Sequence, residues 1–264
     1  MNSAELVQAG RLVDALTALQ SEIRAKPEDI RLRVFLFQLN CVLGRLDKAL
    51  TQLQVIASLN AETMLLAQIF RPVIECESLR RSVFRGKHTP LIFGEPAEWI
   101  GLLVQANALL AAGNHAAAAE TRNRAFDAAP MTSGKIDGRP FEWLADGDSR
   151  MGPMLEVILD GKYYWIPFNR IARIEIEKPS DLRDLVWTPA RFTWTNGGAA
   201  SAHIPVRYPG TEDSEDDALR LARKTAWNEV SPDCFIGLGQ RVLTTDLGEN
   251  SLLECREIEL TNAG

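Results

Sequence analysis

The spacing of hydrophobic residues changes along the chain, near residue 138. Before this point apolar residues recur every three or four positions, as at Leu65, Ile69 and Val73, and this period is typical of amphipathic helices. After it, short apolar runs and alternating stretches predominate, and both are typical of β-strands. The sequence therefore predicts an α+β protein, with helices in the first half and a mostly antiparallel sheet in the second.

The strongest strand signal lies between residues 154 and 177. Two apolar runs, 154–159 and 163–168, are joined by Asp160-Gly161, a pair that favours the tight turn of a β-hairpin because both residues tolerate positive φ. Residues 170–177 then alternate apolar and charged side chains, which indicates a third strand with one face toward solvent. These three strands are predicted to form the nucleus of the sheet.

A repeated segment organises the helical half. The segment GRLVDAL at 10–16 recurs 34 residues later as GRLDKAL at 44–50, and a looser copy, GNHAAAA, lies at 113–119. Glycine can end one helix while small alanines let the next helix pack closely, and the pattern is similar to the tetratricopeptide repeat. We therefore predict a tetratricopeptide-like helical repeat domain. The alternative is an alanine-rich helical bundle that matches a repeat by chance.

The predicted boundary between the halves is the segment 130–139, which is rich in turn-forming residues. It divides the chain into a tetratricopeptide-like helical domain at 1–132 and an α+β domain at 139–264. Because the hydrophobic period and the charge both change there, we expect the two domains to fold separately, with the boundary between Pro130 and Phe141. Some contact between the domains is expected, since Phe141 and Trp143 must be buried.

The charge distribution argues against several classes of partner. The net charge is −6; residues 1–138 carry 15 basic and 14 acidic side chains, whereas residues 139–264 carry 14 and 21. A basic face for nucleic acid is therefore not predicted. Because the chain has no apolar run of about 18 residues, we also expect no membrane span and no membrane partner.

The four cysteines are far apart in the sequence and lack the CxxC or histidine spacing of a zinc site. Cys41, Cys76, Cys234 and Cys255 are therefore predicted to be reduced, mostly buried thiols in a cytoplasmic protein. The sequence predicts neither a metal nor a cofactor.

Candidate catalytic residues are few. The histidines lie in no arrangement that resembles a nucleophile with its base, and neither GxGxxG nor a P-loop is present. The acidic loop with Asp146, Asp148 and Arg150 is the remaining candidate. Most such loops are structural, capping their own turn and pairing with their own arginine. Alternatively, the two carboxylates could converge in an open pocket, where they would hold a metal or act as acid and base.

Long motifs connect the sequence with a known family. They are FRG at 84–86, GEP at 94–96, IDGRPFEWLADGDSRMGPMLEVILDGKYYWIPFNRI at 136–171, DLRDLVWTPARFTW at 181–194, NGG at 196–198, IPVRYPGTE at 204–212, DDALRLARKTAW at 216–227 and GLGQRVL at 237–243. Together they resemble the ImpE family, also called SciE-type or TagJ-type proteins, which are accessory components of bacterial type VI secretion loci.

The resemblance implies a cytoplasmic, non-enzymatic adaptor protein. Members of the family are understood to bind the small subunit of the contractile sheath through that subunit's N-terminal helix. They are thought to assist sheath turnover by the unfoldase that recycles it, which would be an indirect partner. The competing hypothesis is a C-terminal domain that senses a ligand or catalyses hydrolysis through the loop of Asp146, Asp148 and Arg150.

The repeat pattern also predicts where a partner helix binds. In a tetratricopeptide-like array the first helix of each pair lines the concave face. Counting back from Gly44 and from Gly113 places the following residues on that face: Arg31, Val34, Gln38, Cys41, Ile100, Leu103, Asn107 and Leu110. A surface that mixes aliphatic and a few polar groups suits an amphipathic helix. The alternative is that these aliphatic side chains only pack against the irregular helix at 62–86.

Overall fold

The computed structural model describes residues 1–95 and 97–261. Pro96, which belongs to the GEP motif, and residues 262–264, at the end of the predicted second domain, lie outside the described residues. Helices make up most of the first half of the chain and strands most of the second, so the predicted α+β fold class is confirmed.

The helices of the first half follow the repeated segment. They are α1 (Ser3–Gln8), α2 (Leu12–Ala25), α3 (Ile30–Val42), α4 (Leu46–Ala57), α5 (Ala61–Phe84), α6 (Glu98–Ala111) and α7 (His115–Ala128). Gly10, Gly44 and Gly113 lie two residues past the ends of α1, α3 and α6, with φ of 70°, 67° and 79°. Since only glycine takes this left-handed conformation at little cost, each glycine ends a helix as the pattern predicts. Ala15 and Ala49 are fully buried at the start of the second helices.

The strands of the described residues form one large sheet and two small ones, and all but β1 lie in the second half of the chain. They are β1 (Leu91–Ile92), β2 (Ser133–Ile136), β3 (Arg139–Phe141), β4 (Leu144–Asp146), β5 (Met154–Leu159), β6 (Lys162–Pro167), β7 (Ile171–Ile176), β8 (Trp187–Trp194), β9 (Ala199–Pro205), β10 (Thr225–Ser231), β11 (Cys234–Gly239), β12 (Val242–Thr245), β13 (Gly248–Ser251) and β14 (Glu257–Thr261). A short helix, α8 (Asp217–Arg220), precedes β10. The large sheet has the order β1-β6-β5-β9-β8-β7-β14-β2-β3, in which β1 pairs parallel with β6 and the other neighbours pair antiparallel.

The predicted hairpin is present, but the third strand of the predicted nucleus is not its neighbour. Strands β5 and β6 pair around Asp160-Gly161, where both residues have positive φ (49° and 69°). Strand β7 is separated from β5 by β8 and β9. Sequence order alone could not show that the β8–β9 hairpin inserts between them.

The predicted linker is partly wrong, because part of it is a strand of the sheet. Residues Ser133–Ile136 form β2, which pairs with β14 and β3. The turn formers Asp137 and Gly138, with φ of 49° and 78°, make the β2–β3 turn instead of a flexible connection. The last helix of the first half, α7, ends at Ala128, so the change from helices to strands occurs within a few residues.

The two halves share a hydrophobic core. One cluster of buried side chains runs from α1–α6 to the face of the sheet that carries Met154, Ile158 and Trp165. A second cluster lies on the other face, with Leu155 and Val157. Apart from Glu156, strand β5 is apolar on both faces because both faces are covered, which explains its nearly continuous hydrophobic run.

Candidate functional site

A cluster of buried charges lies where α5 meets the sheet. We call Glu77, Arg80, Asp146, Glu156 and Arg241 the interface cluster. The guanidinium of Arg80 donates two hydrogen bonds to the Glu156 carboxylate, at 2.6 and 2.9 Å, and a third to Glu77 at 3.1 Å. All three side chains are almost inaccessible to solvent. A buried ion pair is stable only when such hydrogen bonds replace the lost hydration, and here they join the helical half to β5.

Arg241 extends the interface cluster across the sheet half. Its guanidinium pairs with both Glu156 and Asp146, and its Nε donates to the carbonyl of Pro205 at 3.0 Å. The Tyr163 hydroxyl donates to Glu156 as well, so this carboxylate accepts bonds from three side chains. Glu156 thereby holds two cations that come from distant parts of the chain.

At each of the two central carboxylates, Glu156 and Asp146, burial raises the pKa and the neighbouring guanidinium groups lower it. Burial favours the neutral form of Glu156, but the adjacent guanidinium groups of Arg80 and Arg241 outweigh it and lower its pKa to about 2. At Asp146, burial outweighs the attraction of Arg241 and raises the pKa to about 6, helped by the nearby charge of Asp148. Glu156 is therefore the firmly ionised centre of the cluster.

The loop of Asp146, Asp148 and Arg150 is capped within the protein. The Asp148 carboxylate accepts bonds from the Arg150 guanidinium at 2.6 and 2.8 Å, from the Arg150 amide and from the Gly237 amide at 3.0 Å. The Asp146 carboxylate accepts bonds from the Asp148 amide, Arg241 and the Tyr208 hydroxyl. A cavity of about 430 Å³ borders this loop, but these oxygens are directed to internal donors. The geometry is that of a self-capped loop, whereas acid–base catalysis would need carboxylates that converge in an open pocket.

The sheet half also contacts the ends of the repeat helices. The Arg207 guanidinium donates to the carbonyl of Val42 at 2.7 Å, near the end of α3, and Arg223 donates to the carbonyl of Val7 at 3.1 Å in α1. The Asp217 carboxylate accepts from the amide of Leu12, the first residue of α2. Cations at helix ends and an anion at a helix start match the helix dipole. The sheet half therefore fixes the positions of helices that the repeat alone would leave to their own packing.

A groove of about 690 Å³ lies between α3 and α5. Arg31, Val34 and Gln38 line it on the α3 side, spaced by three and four residues, so three of the predicted partner-binding residues lie together. Leu65 and Ile69 line it on the α5 side and are 57% and 43% exposed. Both walls thus present side chains at helical spacing.

The other predicted partner-binding residues do not line this groove. Cys41 is fully buried, and its backbone carbonyl accepts a bond from Arg207. Ile100 and Leu103 are buried in the shared core, and the Asn107 side chain donates to the carbonyl of Arg150 at 2.7 Å.

Leu110 is half-buried and lies outside the groove as well. The face of α6 is therefore used for packing inside the protein, in a core that also includes residues of the sheet. The counting rule fails at α6 because α5, which precedes it, is twice the length of a repeat helix and packs on the sheet.

Sequence reasoning missed the α5 wall of the groove and its rim. Leu65 and Ile69 form one row along α5, and Leu66, Phe70 and Val73 form a second, more buried row. Two apolar rows on one helix indicate two packing partners, and this sequence pattern could have predicted a second binding surface on α5. Asp181 and Arg183, which also line the groove, come from the sheet half and carry no such signal.

Three further observations bear on the chemistry of the described part of the chain. Within residues 1–95 and 97–261, no cluster of three or more histidine, cysteine, aspartate or glutamate side chains could hold a metal ion. None of the helices in these ranges combines the length and the hydrophobicity that a membrane crossing requires. Cys41, Cys76, Cys234 and Cys255 are free and buried, as predicted.

Comparisons with known proteins place these features in a family. Residues 138–259 match the model of the ImpE protein family. The chain is 49% identical over 259 residues to the type VI secretion system accessory component TagJ of Pseudomonas aeruginosa, covering 98% of this chain and 91% of the relative. The crystal structure of protein VPA1032 from Vibrio parahaemolyticus has the same fold, with a TM-score of 0.90 at 24% identity over 98% of this chain and 97% of that one.

Proposed function

Because this chain belongs to the ImpE family, we propose that it is an accessory component of type VI secretion. Its similarity to the Pseudomonas relative extends over nearly the whole of both chains, which supports a shared role for both halves. We further propose that the protein acts in the cytoplasm, where its four free thiols are kept reduced.

The more specific part of the proposal is that the chain binds the N-terminal helix of the small sheath subunit and thereby assists sheath turnover. The observation that carries it is the groove between α3 and α5. An amphipathic helix binds by placing apolar anchors, spaced three or four residues apart, between two such walls. Val34 on one side and Leu65 and Ile69 on the other offer these anchors a complementary apolar surface.

We propose a binding role and not a catalytic one. The carboxylates of Asp146 and Asp148 are taken up by internal donors, which supports a structural loop. The buried charges of the interface cluster likewise pair with each other. Paired, solvent-excluded charges are suited to holding two parts of a protein in register.

Binding measurements with groove variants test the proposal. The probe is a synthetic peptide of the N-terminal helix of the sheath subunit encoded in the same locus, titrated by calorimetry. Val34→Glu and Leu65→Glu each place a charge in the apolar groove, and we expect each to weaken binding by about tenfold or more, which corresponds to about 1.4 kcal/mol.

The matched control is Val13→Glu, since Val13 is an exposed aliphatic residue on α2, outside the groove. It should bind the peptide like the wild type. Both groove variants should keep the wild-type thermal transition because the replaced side chains are partly exposed. If the folded groove variants bind at full strength, the helix does not bind between α3 and α5.

A further inference from the structure

We propose that the sheet half completes the groove, and that Arg183 binds an acidic side chain of the incoming helix. This inference rests on the proposed function, because it concerns the same helix in the same groove. It assigns a specificity-determining residue to the half of the chain that the repeat pattern leaves out of partner binding.

Arg183 belongs to a turn that is fixed against α3. Residues Leu182–Leu185 form a 3-10 turn after β7, and the amide of Leu182 donates to the side-chain oxygen of Gln38 at 3.2 Å. Gln38 itself lines the groove, as do Asp181 and Arg183. The turn is therefore one end of the groove and not a separate surface that happens to lie nearby.

The Arg183 guanidinium is held in place but has donors to spare. It lies 4.9 Å from the centre of the Phe70 ring on α5, and it pairs with Asp181 through one terminal nitrogen. Its Nε is 3.9 Å from Asp184 and makes no hydrogen bond to any of the described residues. The Nε atom is itself shielded from solvent, whereas the Arg183 side chain as a whole is 19% exposed, so an incoming acceptor would contact its terminal nitrogens. A guanidinium fixed by stacking loses little entropy when it binds such an acceptor.

A carboxylate is the acceptor that this site fits best. Arginine binds carboxylates through two parallel N–H···O bonds, which are stronger than bonds to neutral groups. Arg31, which lines the groove near the start of α3, has a side chain that is 93% exposed and lies 3.5 Å from the carboxylate of Asp29. The groove thus combines apolar walls with two arginines, and its lining also holds the acidic side chains of Glu62 and of Asp181, which pairs with Arg183. The complement of Arg183 is an amphipathic helix that carries an acidic residue beside its apolar face.

A double-mutant cycle tests the role of Arg183. Each acidic residue of the sheath-subunit peptide is replaced in turn by glutamine, and each peptide is titrated against the wild type and Arg183→Gln. We expect Arg183→Gln to weaken binding of the unmodified peptide by about tenfold. One peptide substitution should weaken binding to the wild type by a similar factor and have no further effect on Arg183→Gln, because the two changes remove the same bond.

The matched control is Arg191→Gln, which removes an exposed arginine on β8, outside the groove, and should leave binding unchanged. If Arg183→Gln lowers the thermal transition, Arg183→Lys keeps the charge and most of the stem while losing the two-bond geometry. Arg183→Lys should then show coupling to the same acidic residue of the peptide, with a smaller coupling energy. Full-strength binding by either folded variant, or equal losses with every peptide, overturns the inference. If Val34→Glu loses binding in the same experiment, the proposed function is still supported and only the role of Arg183 is contradicted.

Discussion

At the scale of single residues, the placement of buried charges determines how the helical half and the sheet half are joined. Glu156 sits in the middle of an apolar strand, and its carboxylate joins Arg80 of the helical half to Arg241 of the sheet half. The sequence indicates that this glutamate is unusual, because its neighbours in β5 are all apolar. It cannot indicate the partners, which lie 76 and 85 residues away in the chain.

Replacing Glu156 by glutamine should destabilise the protein by about 3–5 kcal/mol at pH 7, because two buried guanidinium groups would lose their shared counter-charge. Urea unfolding followed by tryptophan fluorescence measures the change. Glu259→Gln, which alters an exposed glutamate on β14, is the matched control and should change the free energy of unfolding by less than about 0.5 kcal/mol.

The ion pairs of Glu156 also make the free energy of unfolding depend on pH. The pKa of Glu156 is lowered to about 2 in the folded protein from an ordinary value of 4.5, so its stabilisation is complete above pH 4.5 and is lost as the pH falls toward 2. The advantage of the wild type over Glu156→Gln should therefore not fall from pH 7 to pH 5, where the neighbouring Asp146 titrates, and should shrink between pH 4.5 and pH 2. An advantage that instead falls between pH 7 and pH 5 would contradict the assignment.

Asp148→Ala tests whether the acidic loop is structural. The substitution removes four hydrogen bonds and leaves the buried Arg150 guanidinium without its partner, so we expect a loss of about 3 kcal/mol in the free energy of unfolding. Asp213→Ala, at an exposed position, is the control. A variant with wild-type stability would show that Asp148 is present for some other purpose, and a search for bound ligands would follow.

At the scale of elements, sequence periodicity was informative where one helix or hairpin acts alone and failed where elements meet. The glycine-ended helices and the β5–β6 hairpin follow from local rules: left-handed glycines and a turn with two positive φ values. The α6 side of the predicted partner face failed because Ile100 and Leu103 pack into a core shared with the sheet. Strand β2 was missed because its pairing partner, β14, is about 120 residues away.

Two glycines allow the cost of backbone conformation to be distinguished from the cost of a steric clash. Gly44 and Gly113 both have positive φ, but a Cβ on Gly44 would lie 2.5 Å from the Cβ of Glu212 in the sheet half, whereas one on Gly113 would meet none of the described residues within 4 Å. Gly113→Ala should therefore cost about 1 kcal/mol, from backbone strain alone. Gly44→Ala should cost about 1–3 kcal/mol more, measured by the same unfolding experiment. Equal costs would mean that the sheet half does not pack against the α3–α4 turn.

At the scale of the whole molecule, the helical and sheet halves form one unit. The hydrophobic cluster that contains Leu19 and Phe37 also contains Trp165 and Trp187, and the interface cluster crosses the same boundary. The division at residues 132 and 139 remains a useful description of secondary structure. The shared core, however, leads us to expect the opposite of separate folding, because each half alone would expose apolar surface and unpaired charges.

Expression of residues 1–132 and 133–264 tests this. We expect each fragment alone to be insoluble or to lack a cooperative thermal transition, and the two expressed together to form a soluble complex that co-purifies. Two fragments that each unfold cooperatively, without affinity for one another, would restore the separate-domain interpretation.

Binding of the partner helix in the groove between α3 and α5 can be tested by site-specific photocrosslinking in the full chain. A photoreactive amino acid replaces Leu65 in the groove or, as the matched control, Val13 on α2, and each protein is irradiated with the intact sheath subunit of its own locus. We expect crosslinks from position 65 to the N-terminal helix of that subunit and none from position 13. Crosslinks of equal yield from both positions, or from position 13 alone, would contradict binding in the groove.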